Sequence, residues 1–291
     1  MYGRILVPLD GSELAEQVIP YARLVAGALG SRIELLRVLV PVPREMGEAS
    51  RRRYRERADQ DLSGVRTALE AAGLTVTASV QEGRPAESIV AEGEKESGTL
   101  IAMSTHGRSG LSRWMVGSVT GKVLHASRNP LLIVRAQGGQ AAPEASLKTM
   151  IIPLDGSSLA TEILSFLVPL IKALGLGVVL ARAVRPVIGP TTGDPLEMTD
   201  FDVGDRPDAT AAEYLQEVVG WFAGQGVEVA TTRILHEHPA SAVVGLARET
   251  PDSLVAMSTH GRSGVSRSVL GSVTDRVVQQ SGKPVLVIRS V

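Results

Sequence analysis

The chain has 291 residues, of which 44% are hydrophobic and 21% charged, with a formal net charge of −1. That balance excludes a disordered chain and the basic footprint of a nucleic-acid binder. The lack of cysteine excludes disulfides, thiolate metal sites and thiol catalysis.

Taken in chain order, strands and helices alternate. Arg4–Leu9 reads as a strand and Glu13–Leu29 as an amphipathic helix that stops at Gly30. Arg32–Val40 is a second strand, Arg51–Ala72 a helix and Thr75–Gln81 a third strand. Pro85–Glu96 follows as a helix with proline in its first turn. Leu100–Ser104 is a buried strand, Gly117–Ser127 a helix and Leu131–Arg135 a last strand. Aromatics make up only 3% of the chain, so the core is aliphatic, as suits strands buried on both faces of a parallel sheet. Alternation of this kind predicts right-handed crossovers and helices on both faces.

The order then repeats. ILVPLDGS at Ile5–Ser12 returns as MIIPLDGS at Met150–Ser157. MSTHGRSGLSRWMVGSVT at Met103–Thr120 returns at Met257–Thr274 with four of eighteen positions changed, three of them apolar for apolar. The expected fold class is therefore α/β, two tandem open five-stranded parallel sheets with helices on both faces. The expected domains are 1–136 and 149–291, with 137–148 as a Gly-, Ala- and Pro-rich linker. The halves diverge after the second strand. Val187–Ala209 carries Asp194, Glu197, Asp200, Asp202, Asp205 and Asp208, where the first half has the basic run Arg51–Arg57. Opposite charges facing across a pseudo-twofold axis are one reading; a solvated helix face and loop are the other. The short, polar N-terminal run does not read as a signal peptide, and no stretch reaches membrane-span length, so a cytoplasmic location is expected.

Open parallel sheets bind ligands beyond the carboxyl ends of their strands, where strand order reverses. Two segments in each half belong there: Pro8-Leu9-Asp10-Gly11-Ser12, and Ser104-Thr-His-Gly107 followed by Gly117-Ser118. Gly107 permits an unusual backbone conformation or a close approach by a ligand. Gly117-Ser118 opens a helix, whose unpaired N–H groups suit an anion. The Ser118 and Thr120 hydroxyls would add donors. Asp10 is an acceptor for a ribose hydroxyl or an exocyclic amine. The bland readings are that Gly-Ser is only a cap and that Asp10 only caps the first helix. His106 and His260 are either held to local backbone or contact a ligand, and Arg108 and Arg262 either reach phosphate or are solvated. Agreement of the two copies at such surface-type residues favours a site, since packing alone would not hold them. VGSVTGKV at Val116–Val123 departs from the phosphate-loop pattern at both ends, and no dinucleotide fingerprint or nucleophile elbow is present.

With these residues in hand, the chain resembles the universal stress protein family in a two-domain form. The family pattern G-x2-G-x9-G-[ST] falls on Gly107, Gly117 and Ser118, and again on Gly261, Gly271 and Ser272. Its first glycine is replaced by Ser104 and Ser258, whose Cβ and hydroxyl would either narrow the approach to a ribose or bond it. The first-strand aspartates fall on Asp10 and Asp155. The resemblance implies ATP, or AMP or ADP, held by Pro8, Asp10, Val38, Met103, Ser104, His106, Gly107, Arg108, Gly117, Ser118, Val119 and Thr120. In the second half it implies Pro153, Asp155, Ala183, Met257, Ser258, His260, Gly261, Arg262, Gly271, Ser272, Val273 and Thr274. Mg2+ would arrive through the phosphates. It also implies domains paired through their last strands, as an intrachain pseudo-dimer and again between two chains, with no nucleic-acid or membrane partner. Ala183 offers an adenine ring a smaller wall than Val38, so the two sites would differ. No catalytic residue or resident metal is expected, and at most slow ATP hydrolysis. The competing functions are a dimerising scaffold without nucleotide and a nucleotide hydrolase or adenylate-transferring enzyme.

Overall fold

A computed structural model of the protein describes residues 2–41, 47–107, 116–136, 144–184, 207–259 and 271–289. The first half contains β1 (Arg4–Pro8), α1 (Glu13–Glu16), α2 (Ile19–Leu29), β2 (Arg32–Leu39), α3 (Glu48–Ala71), β3 (Val76–Glu82), α4 (Pro85–Glu94), β4 (Thr99–Ser104), α5 (Ser118–Ala126) and β5 (Leu131–Val134). The second repeats the order as β6 (Thr149–Pro153), α6 (Ser158–Glu162), α7 (Leu164–Leu174), β7 (Gly177–Ala183), α8 (Pro207–Gly224), β8 (Val229–Leu235), α9 (Pro239–Glu249), β9 (Ser253–Ser258), α10 (Ser272–Gln280) and β10 (Val285–Ile288).

The single helix expected over Glu13–Leu29 is broken in two. Pro20 has no N–H to return to Glu16, and the break places it in the first turn of α2, where none is needed. The second half breaks at the matching place, between α6 and α7, without a proline there. The break therefore belongs to the fold rather than to Pro20.

All ten strands join one sheet, in the order β3-β2-β1-β4-β5-β10-β9-β6-β7-β8. Each half is parallel throughout, and the halves meet where β5 pairs antiparallel with β10, Leu132 opposite Leu286. Side chains alternate between two faces that run unbroken across both halves. Ile5, Val7, Ile152 and Leu180 lie on one; Leu6, Ile101, Ile151 and Val255 lie on the other. α2 and α3 cover the first face and α4 and α5 the second. On the first face α2 packs on α7, and the Tyr2 hydroxyl donates to the Phe166 carbonyl at 3.0 Å. Burial pushes the Tyr2 phenol well above its ordinary pKa.

At the amino ends of the strands the halves differ in chemistry. Arg4, 2% exposed, reaches the Glu34 carboxylate at 2.9 Å, the Glu92 carbonyl at 2.6 Å and the Thr99 hydroxyl at 3.0 Å. By strand register its counterpart in the second half is Thr149. The basic run Arg51–Arg57 lies in α3, which packs on β3 and β2 at one end of the sheet. Val184 and α8, which flank the acidic segment, stand at the other end. The expected facing of opposite charges thus finds no support from the flanking elements, and residues 187–206 themselves lie outside the described residues. Among the described residues no helix is long and apolar enough to cross a membrane.

Candidate functional site

Strand order reverses between β1 and β4. Connections leave those two strands on opposite faces, so their carboxyl ends open a crevice. A cleft of about 280 Å³ occupies it, with a floor of Pro8, Leu36, Val38 and Met103 and one wall of Ile89 and Pro85 from α4. Asp10, Ser104, His106 and Gly107 line one side, and Gly117, Ser118, Val119 and Thr120 close the end. The structure brings together all the first-half residues expected there except Arg108, which lies outside the described residues.

Asp10 is not the cap of α1. Ser12 is, its hydroxyl accepting from the Ala15 N–H at 3.2 Å. Asp10 holds that cap in place, with Oδ1 accepting from the Ser12 N–H at 3.0 Å and hydroxyl at 2.5 Å. Its Oδ2 faces Gly107 so closely that a β-carbon there would sit 2.1 Å away. The close approach that requires glycine at 107 is therefore made by a carboxylate of the protein itself. Gly117 is tight for a similar reason. A β-carbon would lie 2.9 Å from the Thr105 carbonyl, which accepts the Gly117 N–H at 2.7 Å.

Two expected ligand hydroxyls are committed elsewhere. Thr120, 5% exposed, donates to the Ser104 carbonyl at 2.9 Å. The Ser104 hydroxyl donates to the His106 carbonyl at 2.9 Å, which turns it into its own loop. These bonds stitch the start of α5 to the end of β4. What they leave at the helix start is backbone. Among the described residues, the N–H groups of Ser118, Val119 and Thr120 meet no acceptor, because Gly117 supplies no side-chain cap and the first intrahelical bond from this turn comes from Gly121. Three N–H groups at the positive end of a helix form an anion cradle. The His106 ring meets the Thr105 hydroxyl through Nδ1 at 3.0 Å, while its Nε2 is buried without a partner among the described residues.

Some lining residues carried no spacing signal. Tyr54, Pro85 and Ile89 come from α3 and α4, whose placement depends on tertiary packing. Arg37 did carry one, as a charged residue inside an apolar strand, repeated in the same register at Arg182. Arg37 is 4% exposed. Its Nη1 and the Asp61 Oδ2 lie 2.8 and 2.9 Å from where a side chain at Gly11 would begin. Burial, then the nearby Asp61, Glu13 and Asp10 carboxylates, raise the Glu16 pKa above its ordinary value.

The second half repeats the stitching. Ser157 donates to Asp155 Oδ1 through N–H and hydroxyl at 3.0 and 2.6 Å. Thr274 donates to the Ser258 carbonyl at 2.9 Å, and Gly271 to the Thr259 carbonyl at 2.8 Å. Ser272, Val273 and Thr274 open α10 with N–H groups that likewise meet no acceptor among the described residues. Pro153 and Ala183 end β6 and β7, and Met257 and Ser258 are the last two residues of β9. His260, Gly261 and Arg262 lie outside the described residues. One contrast is plain: Arg182 stands 4.9 Å over the ring of Tyr214, where Arg37 has a carboxylate nearby.

A doubled α/β sheet with a Gly-Ser helix start at each strand-order reversal defines a class of paired, open parallel-sheet α/β domains. The chain belongs to the universal stress protein family, whose description matches residues 1–135 and 146–289. A universal stress protein of Mycolicibacterium smegmatis is 25% identical over 99% of this chain and 97% of its own. One from Thermus aquaticus is 33% identical across its whole length, covering 46% of this chain. The crystal structure of an Archaeoglobus fulgidus universal stress protein covers 100% of both chains at 22% identity with a TM-score of 0.77, a likeness of fold.

Proposed function

We propose that the chain binds an adenine nucleotide, ATP or its AMP and ADP relatives, and acts as a regulatory stress protein rather than a dedicated enzyme. The observation that carries this is the set of Ser118, Val119 and Thr120 amides, without an acceptor among the described residues, closing one end of an apolar cleft. Phosphate oxygens would satisfy them, while the base lies against Val38 and Met103 and the ribose near Asp10. A cleft of about 280 Å³ fits a nucleoside body near the lower end of ligand pockets, roughly 300 Å³. Mg2+ would arrive on the phosphates. His106 has Thr105 rather than a carboxylate on Nδ1, a weak arrangement for a general base, so hydrolysis would be slow. The reading includes a cytoplasmic protein, a second chain as partner, and neither nucleic acid nor membrane.

The test is mass spectrometry of what co-purifies, together with thermal unfolding in Mg-ATP. A ligand at a hundred times its Kd adds about 2.7 kcal/mol of stability. Wild-type protein should show that gain. Gly117→Val, which drives a side chain into the Thr105 carbonyl, should lose the first site's share. A wild-type protein with no bound nucleotide and no shift at millimolar ATP would sink the proposal.

A further inference from the structure

Each anion-cradle helix is held at its far end by an arginine of the other half. Arg289, just past β10, donates through Nη1 to the carbonyls of His125 and Ser127, 3.3 Å each, at the carboxyl end of α5. Arg135, just past β5, donates to the Gln279 carbonyl at 2.8 Å, at the carboxyl end of α10. The last carbonyls of a helix have no partner in the helix, and a cation there complements its dipole.

The same arginines sit beside the loops of their own halves. Ala136, next to Arg135, donates its N–H to the Thr105 hydroxyl at 3.1 Å, and Thr105 donates its own N–H to Val134 at 2.8 Å. Thr259 donates to Ile288, next to Arg289, at 3.0 Å. Thr105 and Thr259 in turn receive the Gly117 and Gly271 N–H groups. The bonds close a circuit: the end of β5, Arg135, α10, Gly271, Thr259, the end of β10, Arg289, α5, Gly117, Thr105 and back to β5.

We infer that Arg289 and Arg135 are positioning residues that each set the cradle helix of the opposite half, so that the two sites are coupled through the β5–β10 junction. An anion pulling on Ser118–Thr120 loads α5, whose far end is braced on Arg289. That load passes along β10 to Thr259 and the second cradle. Neither arginine needs to touch a ligand. The coupling rests on the nucleotide reading, but the bracing of the helices does not.

The test has an arm that needs no nucleotide. In ligand-free protein, Arg289→Gln should speed hydrogen exchange of the hydrogen-bonded α5 amides from Gly121 to Ser127 and spare those of α10 from Asp275 to Ser281, and Arg135→Gln should do the reverse. Loss of a charge-assisted cap sets the expected change at about three- to tenfold. Arg289→Lys, which keeps the charge, should restore part of it. In the second arm, Gly271→Val leaves the first cradle alone to be titrated with Mg-ATP. Adding Arg289→Gln should weaken binding by a similar factor, whereas adding it to Gly117→Val should not. If each arginine moves both cradles equally, only its own, or neither, the inference is overturned. Wild-type protein that fails to bind Mg-ATP overturns the nucleotide reading and leaves the exchange result to decide the bracing.

Discussion

Gly107→Ala isolates one contact at the heart of the first site. The new methyl would lie 2.1 Å from Asp10 Oδ2 and 2.9 Å from its carboxyl carbon, where real contacts stay above 3.0 Å. β4 and its loop are tied to α5 and β5, so Asp10 is the group that yields, by about 1 Å. A shift of that size takes Oδ1 out of range of the Ser12 N–H and hydroxyl, now 3.0 and 2.5 Å away. A hydrogen bond to a charged group nets about 1.5–3 kcal/mol, and a loosened Ser12 cap about 1 kcal/mol more. The expected loss is therefore about 2–4 kcal/mol, or a fall in melting temperature of roughly 3–7 °C for a chain of this size. Denaturant and thermal unfolding without nucleotide measure it. The decisive comparison is a double-mutant cycle with Asp10→Ala, in which the cost of Gly107→Ala should drop below about 1 kcal/mol. An unchanged cost in that background would refute the reasoning, because the strain would then lie elsewhere.

Other outcomes follow from the same contacts. Arg4→Ala removes the partner of the Glu34 carboxylate and of the buried Glu92 carbonyl at the amino ends of the strands and should cost about 3 kcal/mol in urea unfolding; Thr149→Ala, its counterpart, should cost well under half of that. Burial raises the Glu92 pKa, but hydrogen bonds from Lys95 and Gln81 and the charges of Lys95 and Arg4 outweigh it, so the net shift is downward. A carboxylate with a lowered folded pKa stabilises above its ordinary value near 4.5, and that stability fades as the pH falls through the folded value. Glu92→Gln should therefore flatten the acid limb of the stability curve below about pH 4.5 and leave it unchanged in shape near pH 7. Val38→Ala removes methyl contacts from the cleft floor and should weaken first-site nucleotide binding about fivefold, near 1 kcal/mol, as read by calorimetry in the Gly271→Val background.

Much of the architecture was legible in the residues. The PLDGS and MSTHGRSG repeats located two equal halves, and apolar runs such as Leu131–Val134 marked strands buried on both faces. The starts of α5 and α10 were legible too, because Gly-Ser before a helix has a local meaning that survives folding. What the residue pattern did not convey depends on distance in space. Nothing in the spacing of Thr120 and Ser104 says that one hydroxyl is spent on the other's carbonyl. Nor does the chain announce that Gly107 makes room for Asp10, ninety-seven residues away in sequence. Tyr54 and Ile89 reach the cleft only because α3 and α4 cover opposite faces of the sheet. The break between α1 and α2 recurs without proline in the second half, so local propensity is not its cause.

The antiparallel seam between β5 and β10 joins two edges of the same molecule. Tethered partners meet at an effective concentration on the order of millimolar, whatever the protein's abundance. Dilution therefore cannot part the halves, and the seam can hold even where its intrinsic affinity is weak. Arg135 and Arg289 consequently find their helices in every copy of the chain. Any signal passing between the two cradles would be independent of how much protein the cell contains.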